Sequence, residues 1–345
     1  MENERLPSER EACLAIDPPG FHLRPPPPPH HLGSRITPED LLFETIHMGA
    51  AVVDIDRWRL VLDGLVDRPR SFTFGELQRL PAVTIEAFHE CYGSPLTPPV
   101  KALWRVGNVR WTGVQLGELL AAAGIQSSAR FVWSEGLDHG DFAGVTADRY
   151  QKDLPLSKAL APEVLVAFAI NGEPLRKERG GPVRLVVPGW YGTNMTKWLC
   201  RLSVQDRRAP GPFATRWYNE SDPGDSSGMA RRPVWPVETN SMIVAPAPDS
   251  VVAAGPCLVS GWAWSDGGVT DVEVSGDAGA NWQAARVEPR RDFGWQRFSA
   301  SIHVPVGRHT LVARARSGAG PYQPATGRRN HVHEVPVLAI AGGAA

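Results

Sequence analysis

Residues 87–96 read AFHECYGSPL, and three of them, His89, Glu90 and Cys91, have side chains able to bind a metal or carry a proton. They close an apolar, strand-like run and are followed at once by the turn formers Gly93, Ser94 and Pro95. A cysteine kept for packing sits among aliphatics; Cys91 sits where a strand opens into a turn. Three chemistries suit it: a packed thiol, a nucleophile beside His89, or a metal ligand. Residues two apart on a strand share a face, so His89 and Cys91 can touch. Zinc would need two further ligands, and no second Cys/His pair has matching spacing. A thiol enzyme would need a third group to orient its base, and none is evident. The other cysteines, Cys13, Cys200 and Cys257, are scattered, with neither a CxxC pair nor a CxxCH haem attachment site.

The rest of the chain must position that thiol. Its 345 residues suit two domains, each long enough for a core of its own. With 42% apolar and 21% charged residues the composition is globular. A net charge of −1 gives no basic footprint, which speaks against nucleic acid and anionic membranes as partners. The apolar run VLVAFAI (164–170) is far short of the ~20 residues of a membrane helix. The N-terminus, MENERLPSEREACLAIDPPG, lacks the apolar core of a secretory signal, so a cytoplasmic, reducing location without disulfides is expected.

Residues 1–39 read as an irregular arm, with RPPPPPHH (24–31) as extended polyproline-type chain. Its histidines, His22, His30 and His31, suit a solvated linker better than a metal. From about residue 55 the pattern becomes regular. WRLVLDGLV (58–66) alternates like a strand. TFGELQRLP (73–81) predicts a short helix with a Thr73–Glu76 capping box, Leu77 and Leu80 inward and Pro81 as its stop. TGVQLGELLAAAGI (112–125) predicts a second helix, with Leu116, Leu119, Leu120 and Ala123 on one face and Gly124 at its end. EVLVAFAI (163–170) reads as a buried strand closed by the hairpin turn Asn171-Gly172. GPVRLVVPG (181–189) and KWLCRLSV (197–204) read as strands, with Cys200 on the buried face beside Trp198, Leu202 and Val204. Strands and short helices without a βαβ rhythm predict an α+β domain over 40–220. The polar stretch NESDPGDSSGMARRP (219–233) reads as a linker or surface loop, given as 221–234. Beyond it only strands appear. Trp262 and Trp264 share one face, and Phe298, Ala300, Ile302 and Val304 another, which predicts a β-sandwich over 235–345.

Four stretches of the first domain carry polar residues that strand packing does not need: FHECYG, SEGLDHGD (134–141), DRYQKDLPLSKAL (148–160) and GGPVRLVVPGWYGTNMTKW (180–198). Together with PVKALWRVGNVRWTGVQLGELL (99–120), they resemble the sulfite oxidase family of molybdenum-cofactor enzymes, over most of residues 40–345. The segment VEVSGDAGANWQAARV (272–287) is similar to that family's immunoglobulin-like dimerisation domain. The resemblance implies a mixed α/β molybdopterin-binding domain followed by an immunoglobulin-like β-sandwich. It makes Cys91 the thiolate ligand of a molybdenum–molybdopterin cofactor, a soft ligand for a soft metal. It gives the cofactor phosphate to Arg184, Lys197 and backbone amides between Gly192 and Thr196, Met195 and Thr196 included. It gives the pterin edges to His47 and Asp138. Arg179 stands where relatives often carry a histidine, and remains a phosphate donor. Tyr150 falls at the active-site tyrosine, able to orient a substrate, and Lys101 near the pocket. Two departures stand out. Thr45 replaces an arginine of relatives that oxidise sulfite, and Tyr92-Gly-Ser-Pro-Leu96 replaces Ala-Gly-Asn-Arg-Arg. The implied function is therefore two-electron oxo transfer on a small substrate, with sulfite a poor one. No haem or flavin signature appears, so a separate electron acceptor is expected, and a homodimer through 235–345.

Overall fold

The computed structural model describes residues 9–94, 104–221, 227 and 229–341. They divide into two compact units built from interleaved segments. The first takes in Met1–Arg24, Glu44–Ile85 and Arg110–Trp235; the second takes in Pro25–Phe43, Glu86–Val109 and Pro236–Ala345.

The first unit is mixed sheet with few helices. Its main sheet runs Gln151–Pro155, Phe131–Gly136, Leu199–Gln205, Arg59–Gly64, Arg70–Thr73. Leu199–Gln205 lies parallel to Arg59–Gly64, and every other neighbouring pair is antiparallel. Trp198, Cys200, Leu202 and Val204 are all buried, with the Cys200 thiol 3.3 Å from the Glu135 carbonyl. In a second sheet, Leu165–Ile170 pairs with Arg184–Val186 and with Val106–Gln115. Asn171 and Gly172, both at positive φ, turn Leu165–Ile170 back onto Glu173–Pro174, as the sequence predicts.

The helices are short and end where their chemistry says. Phe74–Arg79 starts at a complete Thr73–Glu76 capping box, with Leu77 buried. Leu80 is only half-buried and serves as the C-cap. The second helix is shorter than its pattern suggests, at Leu116–Ala123, because Thr112–Gln115 belong to the strand Val106–Gln115. β-branched Thr112 and Val114 favour that strand. The N-terminal arm also holds more structure than expected. Cys13–Pro19 pairs with Gly49–Val53, and His22–Arg24 with Glu44–Ile46. These edge segments are mostly exposed on both faces, so no apolar alternation announced them. The flanks of the 219–233 stretch pair with each other, Asn219–Ser221 against Arg231–Pro233.

The second unit contains a β-sandwich. One sheet runs Asn240–Ala245, Gly255–Trp264, Gln296–Val304, Arg286–Val287; the other runs Ser250–Ala253, Glu334–Ile340, Gly307–Arg316, Asp271–Ser275, Gln283–Ala284. Phe298, Ala300, Ile302 and Val304 fill the core against Val272, Val274, Leu311, Ala313 and Val335. The end of the strand Val83–Glu90 packs here too. Phe88 N donates to the Phe293 carbonyl (3.0 Å), and Phe293 N to the Glu86 carbonyl (2.9 Å). Asn108 donates to Glu86 and to the Arg35 carbonyl, and accepts from Trp295 N. Among the described residues no helix is long and apolar enough to cross a membrane.

Candidate functional site

Eight of the ten residues singled out above, His47, Asp138, Tyr150, Arg179, Arg184, Met195, Thr196 and Lys197, fall in the first unit. Cys91 belongs to the second, and Lys101 lies outside the described residues, as does Leu96.

Three cations gather around the Gly180 turn. The short helical turn Lys177–Arg179 ends at Gly180, which has φ +90°. A Cβ there would lie 2.6 Å from Lys197 Cβ. Only glycine lets these two backbones approach so closely. The Arg184 guanidinium is buried 4.9 Å from the Trp111 ring centre. It donates to the carbonyls of Arg179 (3.0 Å) and Met195 (3.2 Å), while its Nε is buried with no partner. Lys197 is partly exposed along its side chain, yet its Nζ rests on the carbonyls of Thr45 (3.1 Å) and Glu178 (2.8 Å). Burial, then repulsion from Arg184 and Arg179, pushes the Lys197 pKa down to about 7. Burial and Arg179 likewise push Arg184 down to about 9. Arg184 and Lys197 donate to backbone carbonyls, and an anion would offset the burial of their charges.

Asp138 lies just past the strand Phe131–Gly136 and is 3% exposed. Its Oδ1 has no hydrogen-bond partner in the protein, and burial raises its pKa to about 7 against the pull of Lys197. A buried acceptor left without a donor suits a ligand that brings an amide or amine edge.

Tyr150 and His47 sit in an aromatic cluster with Phe142, Phe213, Trp217 and Tyr218. His47 Nε2 lies 2.5 Å from the Tyr218 hydroxyl. The Tyr150 hydroxyl donates to the Thr193 carbonyl at 2.7 Å, so here it anchors the 192–194 turn. Two amides of that turn are already engaged within the protein. Asn194 N and Met195 N donate to the carbonyls of Tyr191 and Gly192. The Met195 carbonyl, not its amide, meets Arg184. Thr196 is fully buried, with its hydroxyl 2.7 Å from that of Ser134. Sequence reasoning missed Trp111, Thr193, Ser134 and Tyr218. The adjacent glycines of Arg179-Gly180-Gly181 were the one visible sign of a close backbone approach.

In the second unit Cys91 directly follows the strand Val83–Glu90 and is partly exposed. Its amide donates to the Arg105 carbonyl (2.9 Å), and Ser94 N donates to its carbonyl (3.2 Å). The ring of neighbouring His89 stacks on Phe43, centroids 5.2 Å apart. Among the described residues no three His, Cys, Asp or Glu side chains converge to cage a metal. A metal here would take most of its ligands from a cofactor.

In the first unit, a buried cationic cluster and an orphaned carboxylate on a mixed sheet suit an anionic ligand with an amide or amine edge. Comparisons with known proteins agree. Residues 47–213 match the oxidoreductase molybdopterin binding domain, and residues 231–335 the Mo-co oxidoreductase dimerisation domain. The chain belongs to the sulfite oxidase family of molybdenum-cofactor oxidoreductases. It is 32% identical to mitochondrial sulfite oxidase of Rattus norvegicus over 87% of its length and 59% of that protein's. It is 31% identical to sulfite oxidase of Gallus gallus over 86% of its length and 70% of the relative's. It thus spans about three-fifths of the mammalian relative. The crystal structure of the sulfane dehydrogenase SoxCD from Paracoccus pantotrophus superposes with a TM-score of 0.80 at 32% identity, covering 93% of this chain and 85% of that one.

Proposed function

We propose that the protein uses a molybdenum–molybdopterin cofactor to carry out two-electron oxo transfer on a small substrate, with sulfite a poor one. The observation that carries the reading is the cluster of buried Arg179 and Arg184 with partly buried Lys197, near the partnerless Oδ1 of Asp138. When bound, the cofactor supplies the two-electron redox chemistry. The chain's own residues do the holding. Arg179, Arg184 and Lys197 neutralise the cofactor's phosphate. Asp138 accepts from an amide or amine edge, and His47, steadied by Tyr218, meets the pterin. Cys91 provides the thiolate. Tyr150 fixes the 192–194 turn through Thr193 and turns its ring to His47. We assign the cofactor to a domain over 40–220 and a homodimer contact to 235–345. Electrons leave to a separate acceptor.

The poor use of sulfite follows from Thr45 and Leu96, which stand where sulfite-oxidising relatives carry arginines. The aromatic cluster of Phe142, Phe213, Trp217 and Tyr218 around His47 favours a substrate less anionic than sulfite. A sulfane sulfur, in keeping with the name of the Paracoccus protein, is one such substrate. The test is elemental analysis of protein from molybdenum-replete cells, paired with Cys91→Ser. The expected result is one molybdenum per chain in the wild type, and lost turnover in the variant because a hydroxyl is a harder ligand. Full activity in Cys91→Ser would end the assignment.

A further inference from the structure

The turn that carries Cys91 is held from both sides by the C-terminal segment of its own unit. On the near side, Glu90 is 1% exposed and accepts a 2.7 Å hydrogen bond from Trp264 Nε1. On the far side, Arg329 Nη2 donates to the carbonyls of Tyr92 and Ser94, the latter at 2.6 Å. Its guanidinium carbon lies 3.8 Å from the centre of the Tyr92 ring. A second arginine completes the set. Arg105 Nη2 donates to the Gly93 carbonyl, and Arg105 N to Ser94 Oγ at 2.9 Å. Three successive carbonyls, of Tyr92, Gly93 and Ser94, thus receive guanidinium N–H groups. A side chain at residue 93 would meet the Arg105 guanidinium and displace it.

Arg329 is itself anchored. Its neighbour Arg328 pairs with Glu238. Asn330 Nδ2 donates to the Thr239 carbonyl (2.9 Å), and the Asn330 carbonyl accepts from Gln323 (3.0 Å). A charged donor fork stacked on an aromatic ring and fixed at its base suits holding a turn in one shape. A turn that merely linked two elements would need no such clamp.

We propose that Arg329, with Arg105, is a positioning residue for Cys91, fixing the direction of the thiol that the preceding reading gives to the metal. The segment matched to a dimerisation domain then has a second task, shaping the ligand turn. The clamp rests on that reading only for its consequence; its geometry is tested separately.

The test uses the full chain from molybdenum-depleted cells. The alkylation rate of each cysteine is followed by peptide mass spectrometry across pH, and rates are compared on the alkaline plateau, where thiol acidity no longer matters. Losing a charge-assisted contact should raise the open population, and the plateau rate of Cys91, on the order of tenfold in Arg329→Ala. Cys13, Cys200 and Cys257 should stay unchanged. Arg329→Lys, a point donor without the planar fork, should fall between Arg329→Ala and wild type. Tyr92→Ala, which removes the stacked ring alone, should raise Cys91 by a smaller factor, and Arg328→Ala should move it less than Arg329→Ala. An unchanged Cys91 rate in Arg329→Ala overturns the clamp. So does a parallel rise at all four cysteines, which would mean general loosening. The ligand reading is judged apart, by molybdenum retained in Cys91→Ser from replete cells. Its failure would leave the alkylation result standing.

Discussion

Lys197 offers a test of the anion site that needs no cofactor. Its folded-state pKa is depressed to about 7, by burial first and by Arg184 and Arg179 next. The unfolded value is ~10.4. A lysine depressed in this way carries a stability penalty that is fully present below about 7. The penalty shrinks as pH rises above 7 and is gone once the unfolded chain has also lost the proton. At ~1.4 kcal/mol per pH unit, discounted for the side chain's remaining exposure, it amounts to ~2–4 kcal/mol near neutrality. A tetrahedral dianion between Arg184 and Lys197 would remove it. Binding should then take up a proton above pH 7, and apparent affinity should fall up to ~10-fold per pH unit beyond that point.

Sulfate keeps both charges across this range, so any slope belongs to the protein. The assay is thermal melting of the cofactor-free full chain in sulfate, with chloride of equal ionic strength as the control for screening. At 100 times Kd the stabilisation is ~2.7 kcal/mol, at ~2–4 °C per kcal/mol for a unit of this size. The shift should be largest below about pH 7 and fade on the alkaline side. In Lys197→Met the shift should shrink and its pH slope vanish. Melting without sulfate should not fall, because the relieved penalty offsets two lost hydrogen bonds of ~1 kcal/mol each. A Lys197→Met protein that keeps both shift and slope would refute the reasoning, as would a wild-type shift that grows with pH.

Steady-state sulfite oxidation with an artificial acceptor should give a kcat/KM lower by ~10²–10⁴ than two arginine contacts would allow, at ~1.5–3 kcal/mol each; a micromolar KM for sulfite would show that other cations replace them. Gly180→Ala should destabilise by ~1–3 kcal/mol in urea unfolding, since φ is +90° and the new Cβ meets Lys197, and a neutral result would contradict the close approach. Sedimentation at micromolar concentration should show a homodimer. Val251→Asp should weaken it, because Val251 is 60% exposed and sits across from exposed Leu338; a wild-type monomer would count against the dimer.

What the sequence revealed is what neighbouring residues decide. The Thr73–Glu76 box, the Gly124 terminus, the Asn171-Gly172 turn and the Phe298–Val304 alternation are local patterns, and each stands where it was read. Thr112–Gln115 went to a strand because a ladder with Leu165–Ile170 outweighed helical periodicity. The edge strand Cys13–Pro19 has no apolar face to betray it. The contacts that shape the site were out of reach for another reason. Tyr218 meets His47 across 171 positions, and Arg329 meets Tyr92 across 237. Only the fold creates such pairs. The family resemblance supplied Arg184, Lys197 and Asp138, but it could not show that Met195 and Asn194 turn their amides inward.

Cations of the first unit differ in what satisfies them. Arg208 holds Asp153 through two nitrogens at 2.8 and 3.0 Å, and Lys158 holds Glu163 at 2.6 Å. Each has its own carboxylate, as a charge kept for folding should. Arg184 and Lys197 donate instead to carbonyls, and their pKa values are lowered by burial first and by neighbouring cations next. Asp138 lies close enough to be felt by Lys197, yet burial keeps its own pKa raised. A fold selected for stability alone would have paired these groups or replaced them with apolar ones. A ligand of opposite charge and matching polarity would relieve that burial, which is what the proposed cofactor site asks of these residues.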